Sequence, residues 1–278
     1  MTNLLPTLPK SAPLRVGPLL RAARLELALL WRNRTALFTV LGMPLLFAAL
    51  LLPARGREVD GVDVAVFQGS GHLAFILVFV VFMHLTTVLT ARREDLTLKR
   101  LRGTALADAE ILGGGVVVAA GMYLVQAALL VVLLATVLEG PPPADPLLLA
   151  VGLAGGVVVF ALLAFAVSGL TPTAELAQLA VLPVLLASVA GAGVLVPLDG
   201  LPEQLREACR LLPLTPVVEV VRTAYFGQDF TVYAASRPEV DLAGGWAACG
   251  RPLLLLLAWM IVGRLAAVRW FRWEPRHS

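Results

Sequence analysis

The sequence predicts an all-α membrane protein that crosses the bilayer several times, and three observations support that class. Hydrophobic residues occupy 59% of its 278 positions, whereas soluble domains are roughly 45–50% apolar. The mean hydropathy of the chain is +0.86, and a soluble chain of this length could not bury so much apolar surface. Several charge-free runs reach the length of about 20 residues that a helix needs to cross the hydrocarbon core.

The chain begins with a proline-rich stretch, followed by an amphipathic helix predicted over residues 19–34. Basic residues fall on one side of this helix and apolar residues on the other, as in helices that lie in the membrane surface. It is either an anchor alone or an anchor whose exposed face also touches a cytosolic partner. Its basic and interfacial positions are Arg21, Arg24, Trp31 and Arg32.

Six membrane-spanning helices are predicted after the interfacial helix, from the charge-free runs and the charged or proline-rich loops between them. The chain therefore divides into a cytosolic tail with the interfacial helix, 1–34, and a six-span membrane domain, 35–278. Glycine-rich runs inside the spans favour close helix packing over ligand binding. The six spans are expected within residues 35–54, 64–91, 111–138, 146–170, 175–197 and 244–268.

The distribution of basic residues predicts the orientation of the chain. Lysine and arginine concentrate on the cytoplasmic side of membrane proteins. With six spans and both termini inside, fifteen basic residues lie on the cytosolic side and seven on the outer side. We interpret the net charge of +3 as topology signals and lipid-headgroup contacts rather than as a nucleic-acid surface.

The loop over residues 92–110, between the second and third spans, carries five basic residues and suits contact with a cytosolic partner. Asp95 and Lys99 stand four positions apart and favour a helix, which Gly103 would end. Two leucines three positions apart could enter a groove on the partner, with basic residues at its rim. The alternative is that the charges only fix topology. The candidate contact residues are Arg92, Arg93, Glu94, Leu98, Lys99, Arg100 and Leu101.

The outer segment 199–243, before the last span, predicts two helices that are each about half as long as a crossing requires. Pro213 and Pro216 separate them, and Gly227 suits a C-terminal cap. The segment is either a re-entrant pair that dips into the outer leaflet or two amphipathic helices that lie flat on the surface. Glu219 and Arg222, three positions apart, either pair across an exit or form an interfacial ion pair of little consequence.

The sequence shows no catalytic or metal site. The only lysines, Lys10 and Lys99, do not follow a glycine, as the lysine of a nucleotide-binding P-loop does. His84 lies inside the second predicted span and serves either helix packing through a hydrogen bond or contact with a substrate. The cysteines, Cys209 and Cys249, have no metal-binding spacing. They form a disulfide or are small buried side chains.

Two motifs resemble the membrane-spanning permease subunit of type-2 ATP-binding-cassette (ABC) exporters. In the 92–110 loop the chain has Arg93 and Glu94, then Leu-Lys-Arg-Leu-Arg at 98–102 and Thr-Ala-Leu at 104–106. Before the last span, residues 201–227 are similar to the family's re-entrant segment. The order of these motifs around six spans extends the resemblance over nearly the whole chain.

This resemblance implies a transport function with no catalytic residue in the chain. Two permease subunits, identical or different, would form the pathway. Two cytosolic ABC ATPase subunits would hold ATP and Mg²⁺ and power it. The loop after the second span would be the coupling helix that docks on the ATPase, and the interfacial helix would pack nearby. The re-entrant pair would narrow an outer exit region that contains Pro213, Pro216, Glu219 and Arg222.

For the class of substrate and the type of cell, the only available indication is the amino-acid composition. Aromatic residues make up 7% of the chain, which is little material for stacking sugars, so a hydrophobic drug- or lipid-like substrate is expected. The alanine-, leucine- and arginine-rich, lysine-poor composition is typical of a GC-rich bacterium, and hence indicates a bacterial inner membrane. Two other classes stay open: a membrane-embedded enzyme that uses His84 and outer acids, and a membrane scaffold that transports nothing.

Overall fold

The computed structural model describes residues 49–59, 62–104, 106–194, 198–232 and 237–274, together with positions 17, 42 and 46. The predicted interfacial helix, with Arg21, Arg24, Trp31 and Arg32, lies outside the described residues. Most of the predicted first span lies outside them as well. The described helices therefore bear on the second to the sixth predicted spans.

A small hairpin precedes the second span. A 3₁₀ turn at Leu52–Ala54 leads into two antiparallel strands, β1 (Glu58–Val59) and β2 (Val62–Asp63). Asp63 then caps the following helix, because its Oδ1 accepts the backbone N–H groups of Ala65 and Val66. A carboxylate in this position satisfies amides that have no partner inside the helix and complements the positive end of the helix dipole.

The second-span helix runs from Val64 to Glu94 without a break. It consists of α1 (Val64–Leu77), a π-helical segment (Val78–Met83) and α2 (His84–Glu94). π-Helical turns are rare insertions in α-helices and are frequent at functional sites. The helix lies in the centre of the core, where Leu73, Leu77 and Phe82 are fully buried.

The remaining helices follow in chain order. They are α3 (Thr97–Arg102), α4 (Asp108–Thr136), α5 (Pro146–Leu170), α6 (Ala174–Gly191), α7 (Glu203–Arg210), α8 (Thr215–Phe226), α9 (Leu242–Ala248) and α10 (Gly250–Trp270).

Within the described residues, five helices are long and apolar enough to cross a membrane: Val64–Glu94, α4, α5, α6 and α10. They overlap the second to sixth predicted spans and confirm an all-α polytopic membrane protein. The last predicted span is divided at Cys249, where α9 ends and α10 begins.

Helix α5 is the main packing partner of its neighbours and contacts α10, α8 and α2. Its glycines bring the helices close together. A Cβ at Gly152 would lie 2.6 Å from Val220 Cγ1, and one at Gly156 would lie 2.8 Å from Leu77 Cδ1. At these two positions the glycine-rich run over 152–156 is therefore a packing surface, as its sequence predicts.

The segment over residues 199–243 contains two short helices, α7 and α8, as predicted, with a non-helical break at 211–214. Every residue from Thr215 to Tyr225 on α8 is buried, and α5, α1 and α10 surround it. Gly227 ends α8 with a φ of 63°, a conformation that glycine adopts without strain. Because α8 is buried on all sides, it does not lie flat on a surface. Helix α7 has no buried residue.

Candidate functional site

The loop between the second and third spans does not form one continuous helix. Helix α2 ends at Glu94, and α3 begins at Thr97. Between them Leu96 has a φ of 57°, so the helix predicted from the spacing of Asp95 and Lys99 is interrupted. We call Asp95 and Leu96 the elbow. Leucine in the left-handed conformation costs roughly 1–2 kcal/mol, and strain of this kind clusters at functional sites.

The elbow presents an apolar side chain at the surface. Leu96 is 41% exposed, and its neighbours Asp95, Lys99 and Arg100 are exposed too. Sequence reasoning missed Leu96, because a leucine carries no sign that its backbone will turn left-handed. The arrangement gives a protruding leucine surrounded by charges of both signs.

Leu98 and Arg93 are not presented to a partner as their sequence positions predict. Both side chains are 1% exposed. Leu98 lies on the buried side of α3, and Arg93 lies at the end of α2. Leu101 and Arg92 are half-buried. The apolar contact predicted for Leu98 is therefore available at Leu96 instead, which lies two positions earlier on the exposed side of the loop.

Arg93 binds the carboxyl end of α5. Its Nη1 donates to the carbonyl oxygen of Ser168 and its Nη2 to that of Thr171. The last carbonyls of a helix have no partner within the helix and form the negative end of its dipole. A cation there stabilises the helix by up to about 2 kcal/mol in partly buried geometries.

Glu94 binds the amino end of the next helix. Its Oε2 accepts the backbone N–H of Ala174, the first residue of α6, at 3.1 Å. Thr173 caps the same helix through Oγ1, which accepts the N–H of Leu176 at 3.3 Å. An anion at this end complements the positive pole of α6. We call Arg93 and Glu94 the terminus clamp, because they hold the two helix ends that flank the turn at 171–173.

The C-terminal tail holds α3 from the other side. Lys99 Nζ lies 3.1 Å from Glu274 Oε1, and the guanidinium of Arg102 lies 4.7 Å from the centre of the Trp273 ring. Arg102 also pairs with Asp108 at 3.2 Å, at the start of α4. Helix α3 thus contacts the start of α4 and the segment that follows α10, and the elbow joins it to α2.

The predicted exit residues lie on and just before α8. Pro216 occupies the first turn of this helix, where its missing N–H does no harm, and Pro213 lies in the break before it. Glu219 pairs with Arg210 at 3.5 Å. Arg222 donates to the Gly193 carbonyl at 2.9 Å.

Both members of the pair predicted on α8 are buried. Glu219 and Arg222 are each 6% exposed, and the Arg222 guanidinium lies 3.9 Å from the centre of the Phe67 ring. Each therefore has a partner on another segment of the chain. Glu219 contacts α7, and Arg222 contacts α1 and Gly193, just after α6. These contacts connect four segments of the chain: α1, the segment after α6, α7 and α8.

A second charge cluster lies at the surface beside α8. Glu207 on α7 accepts hydrogen bonds from Arg251 at 2.9 Å and from Arg210 at 2.6 Å. These hydrogen bonds, chiefly the one from Arg251, lower the pKa of Glu207 below its ordinary value. The cluster connects α7 to the start of α10.

Polar groups inside the spans include residues that sequence reasoning passed over. Tyr123 on α4 donates its hydroxyl to the Leu73 carbonyl at 2.8 Å, and Gln126, one turn on, is 1% exposed. His84 is half-buried directly after the π-helical segment. A polar residue in a charge-free run was the available signal for Tyr123 and Gln126.

The described residues contain no group of three or more metal-ligating side chains. Cys209 and Cys249 are both free thiols, so the predicted alternative of a disulfide between them is not formed. Cys249 is fully buried, in keeping with its interpretation as a small buried side chain.

The comparison with protein families agrees with this arrangement. A family model described as ABC-2 type transporter matches residues 20–226, which include the elbow, the terminus clamp and α8. A search of curated proteins returned no match. The chain therefore belongs to the ABC-2 type transporter family, whose members are membrane-spanning permease components of ABC transporters.

Proposed function

We propose that this chain is the permease subunit of an ABC exporter that is powered by a separate cytosolic ATPase. The observation that carries the proposal is the elbow, an exposed leucine held in a strained conformation on the loop between the second and third spans. Its backbone is directly continuous with a helix that fixes two other spans through the terminus clamp. A push on this loop would reach three spanning helices.

The elbow suits a protein partner with an apolar pocket and a charged rim. Leu96 would fill the pocket. Lys99 and Arg100 would meet acidic groups, and Asp95 would meet a basic one. Charge complementarity of this kind steers association and fixes the register of the complex. ATP and Mg²⁺ would be held by this partner, and this chain would contribute no catalytic residue.

The remaining parts of the proposal concern orientation, assembly and cargo. The excess of basic residues on one side supports cytoplasmic termini in a bacterial inner membrane. Two copies of this chain, or this chain with a related one, would enclose the pathway. The aliphatic core of the described bundle and the 7% aromatic content support a hydrophobic drug- or lipid-like substrate, with α8 as a re-entrant helix at the outer exit.

Co-purification tests the function. The reading frames adjacent to this one are searched for a P-loop ATPase, which is expressed together with this chain and purified in detergent through a tag on this chain alone. We expect the ATPase to be retained and ATP hydrolysis to depend on both chains. If the chain carries no ATPase through purification, and its neighbour hydrolyses ATP equally well alone, the chain is not a permease of this kind; a membrane-embedded enzyme or a scaffold predicts that result.

A substitution at the elbow tests the proposed contact. Leu96→Asp places a charge where an apolar pocket would close over it, so the amount of ATPase retained should fall about tenfold, equivalent to about 1.4 kcal/mol of binding. Leu205→Asp, which makes the same change at a 52% exposed leucine on α7, away from the elbow, is the matched control and should retain the ATPase. Equal retention by Leu96→Asp and the wild type would remove Leu96 from the interface.

A further inference from the structure

We infer that Arg93 and Glu94 are positioning residues that transmit movement of the elbow to the fourth and fifth spans. The inference rests on the proposed function, since it requires an ATPase that displaces the elbow. It adds a route inside this chain: the terminus clamp moves the turn at 171–173 and, with it, the ends of α5 and α6. Arg93 and Glu94 would then act within the permease and would not touch the ATPase or the substrate.

The elbow is firmly connected to the clamp. Only Asp95 and Leu96 separate the last residue of α2 from the first residue of α3. The N–H of Leu96 donates to the Arg93 carbonyl at 3.1 Å, and its own carbonyl accepts the N–H of Arg100 at 3.0 Å. The elbow is therefore hydrogen-bonded to both helices. A displacement of α3 would for this reason also displace the end of α2.

The clamp holds its two targets by opposite charges on consecutive residues. The Arg93 cation contacts the negative end of α5, and the Glu94 anion contacts the positive end of α6. Exchanging the two residues would place an anion at the negative end of α5 and a cation at the positive end of α6, and both contacts would be unfavourable. The structure thus gives the Arg-Glu order a physical reason that is independent of any partner.

Helix α6 is the element best placed to respond. It packs mainly against α2 and against the π-helical segment, and less against α5. A third of its apolar window is buried, compared with two thirds for the second span. A helix with so few internal contacts is held in position largely by the second span, and its amino end is held by Glu94.

Hydrogen exchange of the amides at 174–178 tests the inference, because these amides report directly on the amino end of α6. The exchange is measured in the complex with the co-purified ATPase, once without nucleotide and once with a non-hydrolysable ATP analogue. In the wild type we expect ATP binding to change the exchange rate of these amides. In Glu94→Ala that nucleotide-dependent change should shrink about fivefold or more, while the ATPase stays bound.

Two further variants separate transmission from simple support of the fold. Glu94→Gln keeps an oxygen that accepts the Ala174 N–H and should restore most of the nucleotide-dependent change. Glu203→Ala removes an exposed carboxylate on α7, away from the elbow and the clamp, and should leave the change intact. A role limited to stability would raise exchange equally with and without nucleotide, leaving their difference unaltered.

The outcomes distinguish this inference from the proposed function. If the wild-type chain retains no ATPase, the permease assignment fails first. If the ATPase is retained but the amides at 174–178 do not respond to nucleotide in the wild type, or respond equally in Glu94→Ala, the permease assignment stands and the transmission route is wrong.

Discussion

Leu96 is both strained in its backbone and exposed in its side chain. The leucine has a φ of 57° and a side chain that is 41% exposed, so it is strained without the compensation of burial. Asparagine adopts this conformation more readily than leucine, because its short polar side chain can bond locally. Leucine at the tip of the elbow therefore lowers the stability of the folded chain, and the proposed contact with the ATPase would account for its presence there.

We predict that Leu96→Asn raises the free energy of unfolding by up to about 1 kcal/mol, because the left-handed strain is relieved. Thermal unfolding in detergent measures the change. Leu101→Asn is the comparison, since Leu101 lies in helical conformation on α3 and is half-buried; that variant should be less stable than the wild type. A lower melting temperature for Leu96→Asn would show that the leucine makes a stabilising contact within the chain.

At the scale of elements, the packing of α5 against α10 depends on glycine at one contact near the clamp. A Cβ at Gly169 would overlap the backbone carbonyl of Trp270 and lie 2.8 Å from the Cα of Phe271. Backbone atoms cannot move aside as a flexible side chain can. The end of α5 is therefore fixed from one side by α10 and from the other by Arg93.

Gly169→Ala should lower the stability of the protein by about 1–3 kcal/mol, the usual range for overpacking. Gly121→Ala on α4 is the matched control, because nothing lies within 4 Å of its added Cβ. That control should be neutral or stabilise by about 0.5–1 kcal/mol, since alanine is the better helix former. Both are read from thermal unfolding in detergent, and similar melting temperatures for the two variants would contradict the close approach at Gly169.

The surface cluster between α7 and α10 predicts a pH dependence. Hydrogen bonds from Arg251 and Arg210 favour the ionised form of Glu207 and lower its pKa in the folded state. The stability that Glu207 contributes is therefore fully present above its ordinary pKa of 4.5. It is lost as the pH falls through the lowered folded value.

Between neutral pH and about pH 3, a range that includes the unperturbed pKa of glutamate, wild-type stability should fall more steeply than that of Glu207→Gln. The amide cannot titrate, so the variant lacks this contribution at every pH. Melting temperatures measured across the range give the comparison. Glu203→Gln, on the first turn of the same helix, is the control, and a profile for Glu207→Gln that parallels the wild type would exclude Glu207 as the titrating group.

At the scale of the whole molecule, the orientation proposed from basic residues predicts which loops face the cytoplasm. In a variant with both cysteines replaced by alanine, Asp95→Cys places a thiol at the elbow and Arg57→Cys places one at the opposite end of the second span. A membrane-impermeant maleimide should label position 57 in intact cells. It should label position 95 only after the membrane is opened, and the reverse pattern would invert the topology.

The spans could be predicted from the sequence because each is encoded by one continuous apolar run, which is a local signal. The fourth was predicted at 146–170, and α5 occupies those residues, since Asp145 and Pro146 mark its start and Thr171 its end. The third was predicted from residue 111, but α4 begins at Asp108. Charged residues in the first turn continue a helix beyond its apolar part, and an apolar run does not include them.

The contacts of the candidate site could not be predicted in the same way. Arg93 and Ser168 are 75 positions apart, and no short-range pattern relates them. The same is true of Lys99 and Glu274, which meet only because the tail returns to α3. The 92–110 motif indicated where the site lies, but the roles of Arg93, Leu98 and Leu96 depend on which side of a turn each one faces.

The π-helical segment Val78–Met83 determines the rotation of one end of the second span about the helix axis relative to the other end. Each residue of an α-helix advances the chain by about 100° around the axis, so removing one residue from this segment would rotate the Glu94 end relative to the Val64 end by about that angle. Arg93 and Glu94 would then rotate away from the ends of α5 and α6, even though neither had been altered. The π-helical segment thus determines whether Arg93 and Glu94, at one end of the helix, face the ends of α5 and α6 while α1, at the other end, keeps its own contacts.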